Sequence, residues 1–150
     1  MDKHIKMDYN KITDQIYLGT NSCCQMHFKK ELLNKGITAD ISLEAKRIDN
    51  PVGVKYFLWL PTKDHYSPTF KQLLTGIKTI EALVEQGEKI YIHCKNGHGR
   101  APTMLAAYFI YQGISTKDAI RAIAAKRSEI HIEPPQLKQL QKLEKKLSSL

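Results

Sequence analysis

The sequence predicts an α/β domain: a central, largely parallel sheet of four to five strands, flanked by helices on both faces. Three observations carry this expectation. Short apolar runs at residues 12–19, 37–43, 54–60 and 89–93 read as strands. A single long amphipathic stretch separates the third run from the fourth and reads as a crossover helix, which joins parallel strands. From residue 101 onward the patterns are helical. Strands first and helices after, with a crossover between, make a parallel sheet with covered faces. At 150 residues the chain is long enough for one sizeable core, so residues 1–150 are expected to form a single domain.

Taken in order, residues 12–19 (Ile-Thr-Asp-Gln-Ile-Tyr-Leu-Gly) form a first short strand entering a turn. Asn21 and Ser22 are caps for a short helix that runs to about Lys35 and stops at Gly36, which puts Cys23 and Cys24 in its first turn. Residues 37–43 are a second strand, followed by a polar loop through Pro51 and Gly53. Residues 54–60 are a third, ended by Pro61, which has no N–H for a strand ladder. Ser67, with Pro68 at the first helical position, opens the crossover helix. Leu73, Leu74, Ile77, Ile80, Leu83 and Val84 form its apolar stripe, and Gly87 stops it. The fourth strand follows at residues 89–93. A helix at residues 101–112 is apolar nearly all round and is expected to be buried, with Gly113 ending it. Ser115-Thr116-Lys117-Asp118 is a capping box for a helix to about Lys126. The last helix starts at Pro134-Pro135 and sets Leu137, Leu140, Leu143 and Leu147 on one face.

The chemistry concentrates between the fourth strand and the next helix, at His93-Cys94-Lys95-Asn96-Gly97-His98-Gly99-Arg100. A tight strand-to-helix loop is an anion cradle, because backbone N–H groups without intrahelical partners point into it and the helix dipole adds to them. Gly97 and Gly99 let the backbone turn inward where a Cβ clashes. The same groups stabilise a thiolate, so the Cys94 thiol is expected to ionise more easily than a free one. Arg100 closes the loop with a planar fork that holds two phosphate oxygens at once.

Charge agrees with an anionic partner. Lys and Arg total 23 against 15 Asp and Glu, a formal net charge of +8. The first fifty residues hold eight basic and seven acidic side chains, so nearly all the surplus lies with the loop. That surplus suits a phosphoprotein, a phospholipid headgroup or a nucleic acid. Three cysteines, Cys23, Cys24 and Cys94, make no disulfide framework, and the absence of Cys-x-x-Cys or His-x-x-x-His spacing gives no expectation of a metal. A reducing, cytoplasmic setting follows as an expectation. No run approaches bilayer length, and the first residues have no apolar core of signal-peptide length.

His-Cys, five residues, then Arg, set between a strand and a helix, resembles the signature of the cysteine-dependent protein tyrosine phosphatase superfamily. Tyr17-Leu18-Gly19 is similar to the opening of many dual-specificity phosphatase domains. The tail from Ala119 through Lys126-Arg127-Ser128-Glu129-Ile130-His131-Ile132 to Pro135-Gln136-Leu137 looks like the end of the mitochondrial-type phosphatidylglycerophosphate phosphatase branch, and also fits small archaeal and bacterial dual-specificity enzymes. The resemblance covers nearly the whole chain and implies a protein tyrosine phosphatase-like fold. It makes Cys94 the nucleophile and Arg100 the clamp. The amides of Lys95, Asn96, Gly97, His98, Gly99 and Arg100 hold the phosphate oxygens, and His93 holds the loop and tunes the thiol. It places the general acid on Asp64, the only acidic residue between Asn50 and Glu81. The adjacent His65 orients substrate or is only solvated. A reversible disulfide from Cys23 or Cys24 to Cys94 is a further option, with packing as the ordinary role.

What the resemblance implies is hydrolysis of a phosphomonoester through a phosphocysteine, without a cofactor or metal. The substrate is a phosphoprotein or a phospholipid headgroup, with Lys63, His65, Lys95 and His98 supplying positive charge beyond what one phosphate needs. No nucleic acid partner is expected, and a monomer is. One departure stands out: after the Arg the family has Ser or Thr, whose hydroxyl steadies the departing sulfur, and this chain has Ala101, with Thr103 two positions on. Two other readings stay open here. A catalytically weak phosphate-binding module keeps the cradle while Ala101 blunts turnover, and a rhodanese-type sulfurtransferase also sets a Cys in such a loop.

Overall fold

The structure, a computed structural model, describes residues 6–149. The chain runs β1 (Tyr9–Lys11), β2 (Ile16–Thr20), α1 (Gln25–His27), β3 (Ile37–Glu44), β4 (Tyr56–Thr62), α2 (Phe70–Glu85), β5 (Lys89–Cys94), α3 (Arg100–Tyr111), α4 (Thr116–Ala124) and α5 (Pro134–Ser148). The five strands form one sheet in the order β1-β2-β5-β3-β4. Four of them are parallel, and β1 pairs antiparallel with β2. β5 is therefore central, inserted between β2 and β3, so the loop after it leaves from the middle of the sheet's C-terminal edge, where α/β sheets hold ligands.

Strand alternation divides the core. Ile16, Leu18, Ala39, Ile41, Leu43, Ile90, Ile92 and Cys94 belong to the larger cluster, shared with α2, α3, α4 and α5. Tyr17 and Tyr91 face the other way, into a smaller cluster with Met7, Phe28 and Leu32; Ile37 joins it because the ladder is irregular between Ile37 and Ala39. On α2 the predicted stripe holds: Leu73, Ile77, Ile80 and Leu83 are at most 3 % exposed, each stabilising by about 1.5–3 kcal/mol. All of α3 from Arg100 to Ile110 is buried, as its apolar composition predicts.

Several boundaries differ from the sequence expectation, each for a physical reason. The first strand is shorter, Ile16–Thr20, because Thr13 Oγ1 accepts from the N–H groups of Gln15 and Ile16 and makes the preceding residues a turn. β4 runs through Pro61 to Thr62, which the missing N–H permits because β4 is an edge strand. The crossover helix is capped by Thr69, not Ser67: Thr69 Oγ1 accepts from Gln72 N–H, and Gln72 Oε1 accepts from Thr69 N–H. The short helix is capped by Cys24 rather than Asn21 or Ser22, and α1 passes into a π turn (Phe28–Leu32) and a 3-10 turn (Leu33–Lys35) before Gly36. In α5 the buried face is Gln136, Leu140 and Leu143, while Leu137 is exposed. Ser115 caps α4 as expected, its Oγ accepting from Asp118 N–H.

Candidate active site

β5 delivers His93 and Cys94 to opposite faces of the sheet. Cys94 is 2 % exposed at the floor of a cleft of about 210 Å³, lined also by Asp64, His65, Asn96, His98, Gly99, Arg100, His131, Glu133 and Gln136. Gly97 N–H donates to Cys94 Sγ at 3.3 Å, so a loop amide already points at the sulfur. Gly97 is in the left-handed region (φ 69°), and a Cβ there comes within 2.7 Å of the Gly19 carbonyl and 2.9 Å of the Arg127 guanidinium. Gly99 has no such backbone need, at φ −128°; its missing Cβ makes room for Gln136, which lies 3.1 Å from the ideal position. Lys95 is exposed and lies outside the cleft lining.

Arg100 is buried, and its Nη1 donates to the Thr62 carbonyl at 2.8 Å and to Glu44 Oε1 at 3.4 Å. The plane of the guanidinium is thus fixed before any phosphate arrives, the kind of preorganisation that stabilises charge without later rearrangement. Glu44 Oε1 also accepts from the N–H groups of Ala45 and Lys46, and its Oε2 accepts from Asn21 Nδ2 at 3.2 Å. Burial works against its charge, but the backbone donors, Arg100 and Asn21 outweigh it and hold the carboxyl below the usual range.

His93 is completely buried on the face away from the cleft, stacked on Tyr91 with ring centroids 5.2 Å apart. Its Nε2 meets Asp40 Oδ1 at 2.8 Å and its Nδ1 meets Asn21 Oδ1 at 2.9 Å. Asn21 Nδ2 is committed to Glu44, so its oxygen faces the ring; both imidazole nitrogens therefore donate, which requires the imidazolium. Burial opposes that charge, and Asp40, with Asp49 3.8 Å from Nδ1, overcomes it and raises His93 above the ordinary value. His93 is a positioning residue rather than one that touches the reacting atoms. A chain of contacts, Asp40 to His93 to Asn21 to Glu44 to Arg100, ties the strand before the loop to the residue that closes it.

The loop is also gripped from outside. Arg127, fully buried, donates from Nε to the Gly97 carbonyl (3.0 Å) and from Nη2 to the Asn96 carbonyl (3.1 Å), while Nη1 donates to Asn10 Oδ1 (2.8 Å). Turning two carbonyls outward onto an arginine leaves the opposite, N–H side of those peptides for the cleft. Asp64 stands at the rim, half exposed, with Oδ1 3.6 Å from Arg100 Nε. It is followed by His65 at φ 72°, an unusual conformation for a non-glycine residue, whose N–H donates to Asp64 Oδ1 at 3.0 Å. Glu133 lies between His65 Nδ1 (3.6 Å) and His131 Nε2 (3.2 Å). Gln136 donates from Nε2 to the Tyr66 carbonyl and so holds the loop that carries Asp64.

Cys94, Arg100, Asp64 and the loop are thus brought together on one cleft. Asn21, Asp40, Glu44, Arg127, Glu133 and Gln136 were not predicted. Thr103 is not a donor to the sulfur, because its Oγ1 donates to the Gly99 carbonyl at 2.7 Å. Cys23 and Cys24 line a separate groove with Ser22, Gln25, Arg47 and Asp49, so no disulfide to Cys94 is prepared.

The model of the dual specificity phosphatase catalytic domain matches residues 16–146. The chain belongs to that family. As a dual specificity phosphatase it is 40 % identical over 83 residues to the human phosphatidylglycerophosphatase and protein-tyrosine phosphatase 1, covering 55 % of this chain and 41 % of the relative. The chain spans less than half the length of the curated relatives it first matches. Its fold superposes on PTPMT1 crystallised with PI(5)P, with a TM-score of 0.82, 27 % identity, and 94 % and 97 % of the two chains covered. Human DUSP28 shares the fold at a TM-score of 0.82 and 19 % identity, over 98 % of this chain and 99 % of that one. The phosphatase fold is as expected: α/β, with a mostly parallel five-stranded sheet flanked by helices. Among the described residues no helix is long and apolar enough to cross a membrane.

Proposed function

We propose that the chain hydrolyses phosphomonoesters through a phosphocysteine on Cys94. The observation that carries this reading is the convergence on one cleft of a buried thiol with an amide aimed at it, a guanidinium fixed from behind, and a carboxyl at the rim. The Cys94 thiolate attacks phosphorus in line; the S–P bond forms as the P–O bond to the leaving group breaks, and Asp64 gives that oxygen its proton. Arg100 and the amides of residues 95–100 hold the remaining oxygens. Water then attacks phosphorus, its proton passes to the Asp64 carboxylate, and the S–P bond breaks to return the thiolate. These residues supply each proton and charge that the two steps need.

For the substrate, the cleft wall carries the imidazoles of His65, His98 and His131, with Glu133 between His65 and His131. The similarity to a relative named for phosphatidylglycerophosphate favours a phospholipid headgroup monoester. The same relative is named for protein-tyrosine phosphatase activity, which supports phosphoproteins as the second reading. In this proposal the chain acts as a single catalytic domain, 1–150, as a monomer in a reducing cytoplasmic setting. The test is phosphate release from phosphatidylglycerophosphate, phosphoinositides, phosphopeptides and an aryl phosphate, with and without EDTA. The reading predicts chelator-insensitive release with the highest kcat/KM on a lipid. A preference for phosphopeptides replaces the lipid reading by the second one, and tight binding without release reduces the protein to a phosphate-binding module.

A further inference from the structure

The segment between β2 and β3 carries a cluster that the phosphatase site does not use. Cys23 Sγ lies 3.0 Å from His27 Nδ1, and Cys24 Sγ lies 3.4 Å from the same nitrogen. One donor atom from each of the three residues lies within 4.8 Å of the others, and all three residues are half-buried. Among the described residues this is the group of His, Cys, Asp or Glu side chains so arranged. We propose that Cys23, Cys24 and His27 form a binding site for a soft d10 cation of the Zn2+ class.

Geometry and donor chemistry both support the assignment. With Zn–S near 2.3 Å and Zn–N near 2.0–2.1 Å, donors at the corners of a tetrahedron are about 3.5–3.8 Å apart, so His27 Nδ1 has to move away from Cys23 Sγ by about half an ångström, and the two sulfurs, within 4.8 Å of each other, have to approach by at most about 1 Å. Two sulfurs and one imidazole nitrogen select zinc over magnesium or calcium, which prefer oxygen. The ligands sit on one turn that is already built: Phe28 N–H donates to the Cys24 carbonyl at 3.0 Å, and His27 N–H donates to Cys24 Sγ at 3.4 Å. A backbone donor to a metal thiolate is the usual outer partner of such a ligand. The neighbouring cation does not oppose the ion freely, because Arg47 is paired with Asp49 Oδ1 at 2.7 Å and donates to the Ser22 carbonyl. On binding, two S–H protons leave to solvent, two S–Zn bonds form, and His27 binds as the neutral ring through Nδ1. Among the described residues, these three side chains supply the protein ligands.

The site is wired to the catalytic scaffold. Ser22 N–H donates to Asp49 Oδ2 at 2.7 Å, and Asn21 Oδ1 accepts from His93 Nδ1 at 2.9 Å, so an ion at residues 23–27 fastens the segment that fixes His93.

The experiment is a Co2+ titration of the reduced Cys94→Ser chain, in which the catalytic thiol no longer competes. The proposal predicts one equivalent of Co2+ bound with thiolate-to-metal charge-transfer absorption and tetrahedral visible bands, displaced by one equivalent of Zn2+. Adding Cys23→Ser or Cys24→Ser to that chain should weaken binding at least tenfold and remove much of the charge-transfer band. No such band in the Cys94→Ser chain, or the same band in both double variants, overturns the site. A second measurement needs no variant: in the wild-type chain Zn2+ should slow alkylation of Cys23 and Cys24 by iodoacetamide, read by peptide mass. Equal alkylation with and without Zn2+ also overturns it.

Discussion

Replacing Ala101 by serine is expected to speed the second half of the reaction. Ala101 is fully buried in the first turn of α3, next to Arg100 and beneath the loop. Among the described residues the donor found on Cys94 Sγ is Gly97 N–H at 3.3 Å, and the nearby Thr103 hydroxyl is spent on the Gly99 carbonyl at 2.7 Å. Forming the phosphocysteine consumes a thiolate that the loop amides stabilise, whereas its hydrolysis must expel that thiolate with no hydroxyl to steady it. A hydrogen bond to a charged group is worth about 1.5–3 kcal/mol. At ~1.4 kcal/mol per decade this corresponds to roughly 10- to 100-fold in the rate of breakdown. Rapid mixing of the wild-type chain with an aryl phosphate should therefore show a burst of one phenol per enzyme, followed by a slower steady state. In Ala101→Ser the steady rate should rise and the burst shrink, with the rate of the burst itself little changed. If neither changes, breakdown is not the slow step or another donor serves the sulfur, and the reasoning from position 101 fails.

Other outcomes follow from the same geometry. Asp64→Asn should lower kcat by about a hundredfold or more on alkyl phosphates, which need a proton on the leaving oxygen, and by less on nitrophenyl phosphate; equal losses on both would assign Asp64 to loop shape. Glu44→Gln removes the charge behind Arg100 and should lower kcat/KM by about tenfold, one hydrogen bond's worth of positioning, with phosphate affinity falling in parallel; an unchanged kcat/KM would mean that Thr62 alone aligns the guanidinium. Glu44 is held below the usual carboxylate range in the fold, so its contribution to stability is present above about pH 4.3 and lost as pH falls through its lowered value. Thermal melts should show this acid loss diminished in Glu44→Gln. His93 is raised, so its contribution is fully present below about pH 6.5 and lost as pH rises through the folded value. Asp40→Asn should flatten that alkaline loss, and parallel melting curves for the two proteins would show that His93 is not held charged.

What the sequence made legible is what is local in the chain. The loop from Cys94 to Arg100 lies within seven consecutive residues and could be read directly, as could the stripe of α2 and the all-round burial of α3. The network behind the loop was not legible, because it depends on strand order. Asp40, Asn21 and Glu44 lie 53, 72 and 56 positions from their partners His93, His93 and Arg100, and meet them only because β5 inserts between β2 and β3. Asp40 looked like a polar residue in a strand, with no local mark of the buried histidine it faces. Arg127 and Gln136 stand in the tail that carries the resemblance, but no local pattern marks them as buried, with Arg127 bonded to the loop's carbonyls and Gln136 packed beside Gly99. β1 is only three residues long and polar in part, too short for periodicity to show. A cap position went astray where a second hydroxyl residue lies two positions on, as with Thr69 after Ser67. Cys23-Cys24-x-x-His27 has neither Cys-x-x-Cys nor His-x-x-x-His spacing, and its three donors meet only through the turn at residues 24–28.

The central claim is that Cys94 carries the phosphoryl group between two half-reactions. Acid quenching in the burst phase with an aryl phosphate, followed by digestion and mass analysis, tests it most directly. The account predicts one phosphoryl group on the peptide containing Cys94, and in Cys94→Ser no adduct and no turnover while vanadate still binds. Turnover that persists in Cys94→Ser, or a wild-type burst with no phosphoryl group on the Cys94 peptide, would contradict it.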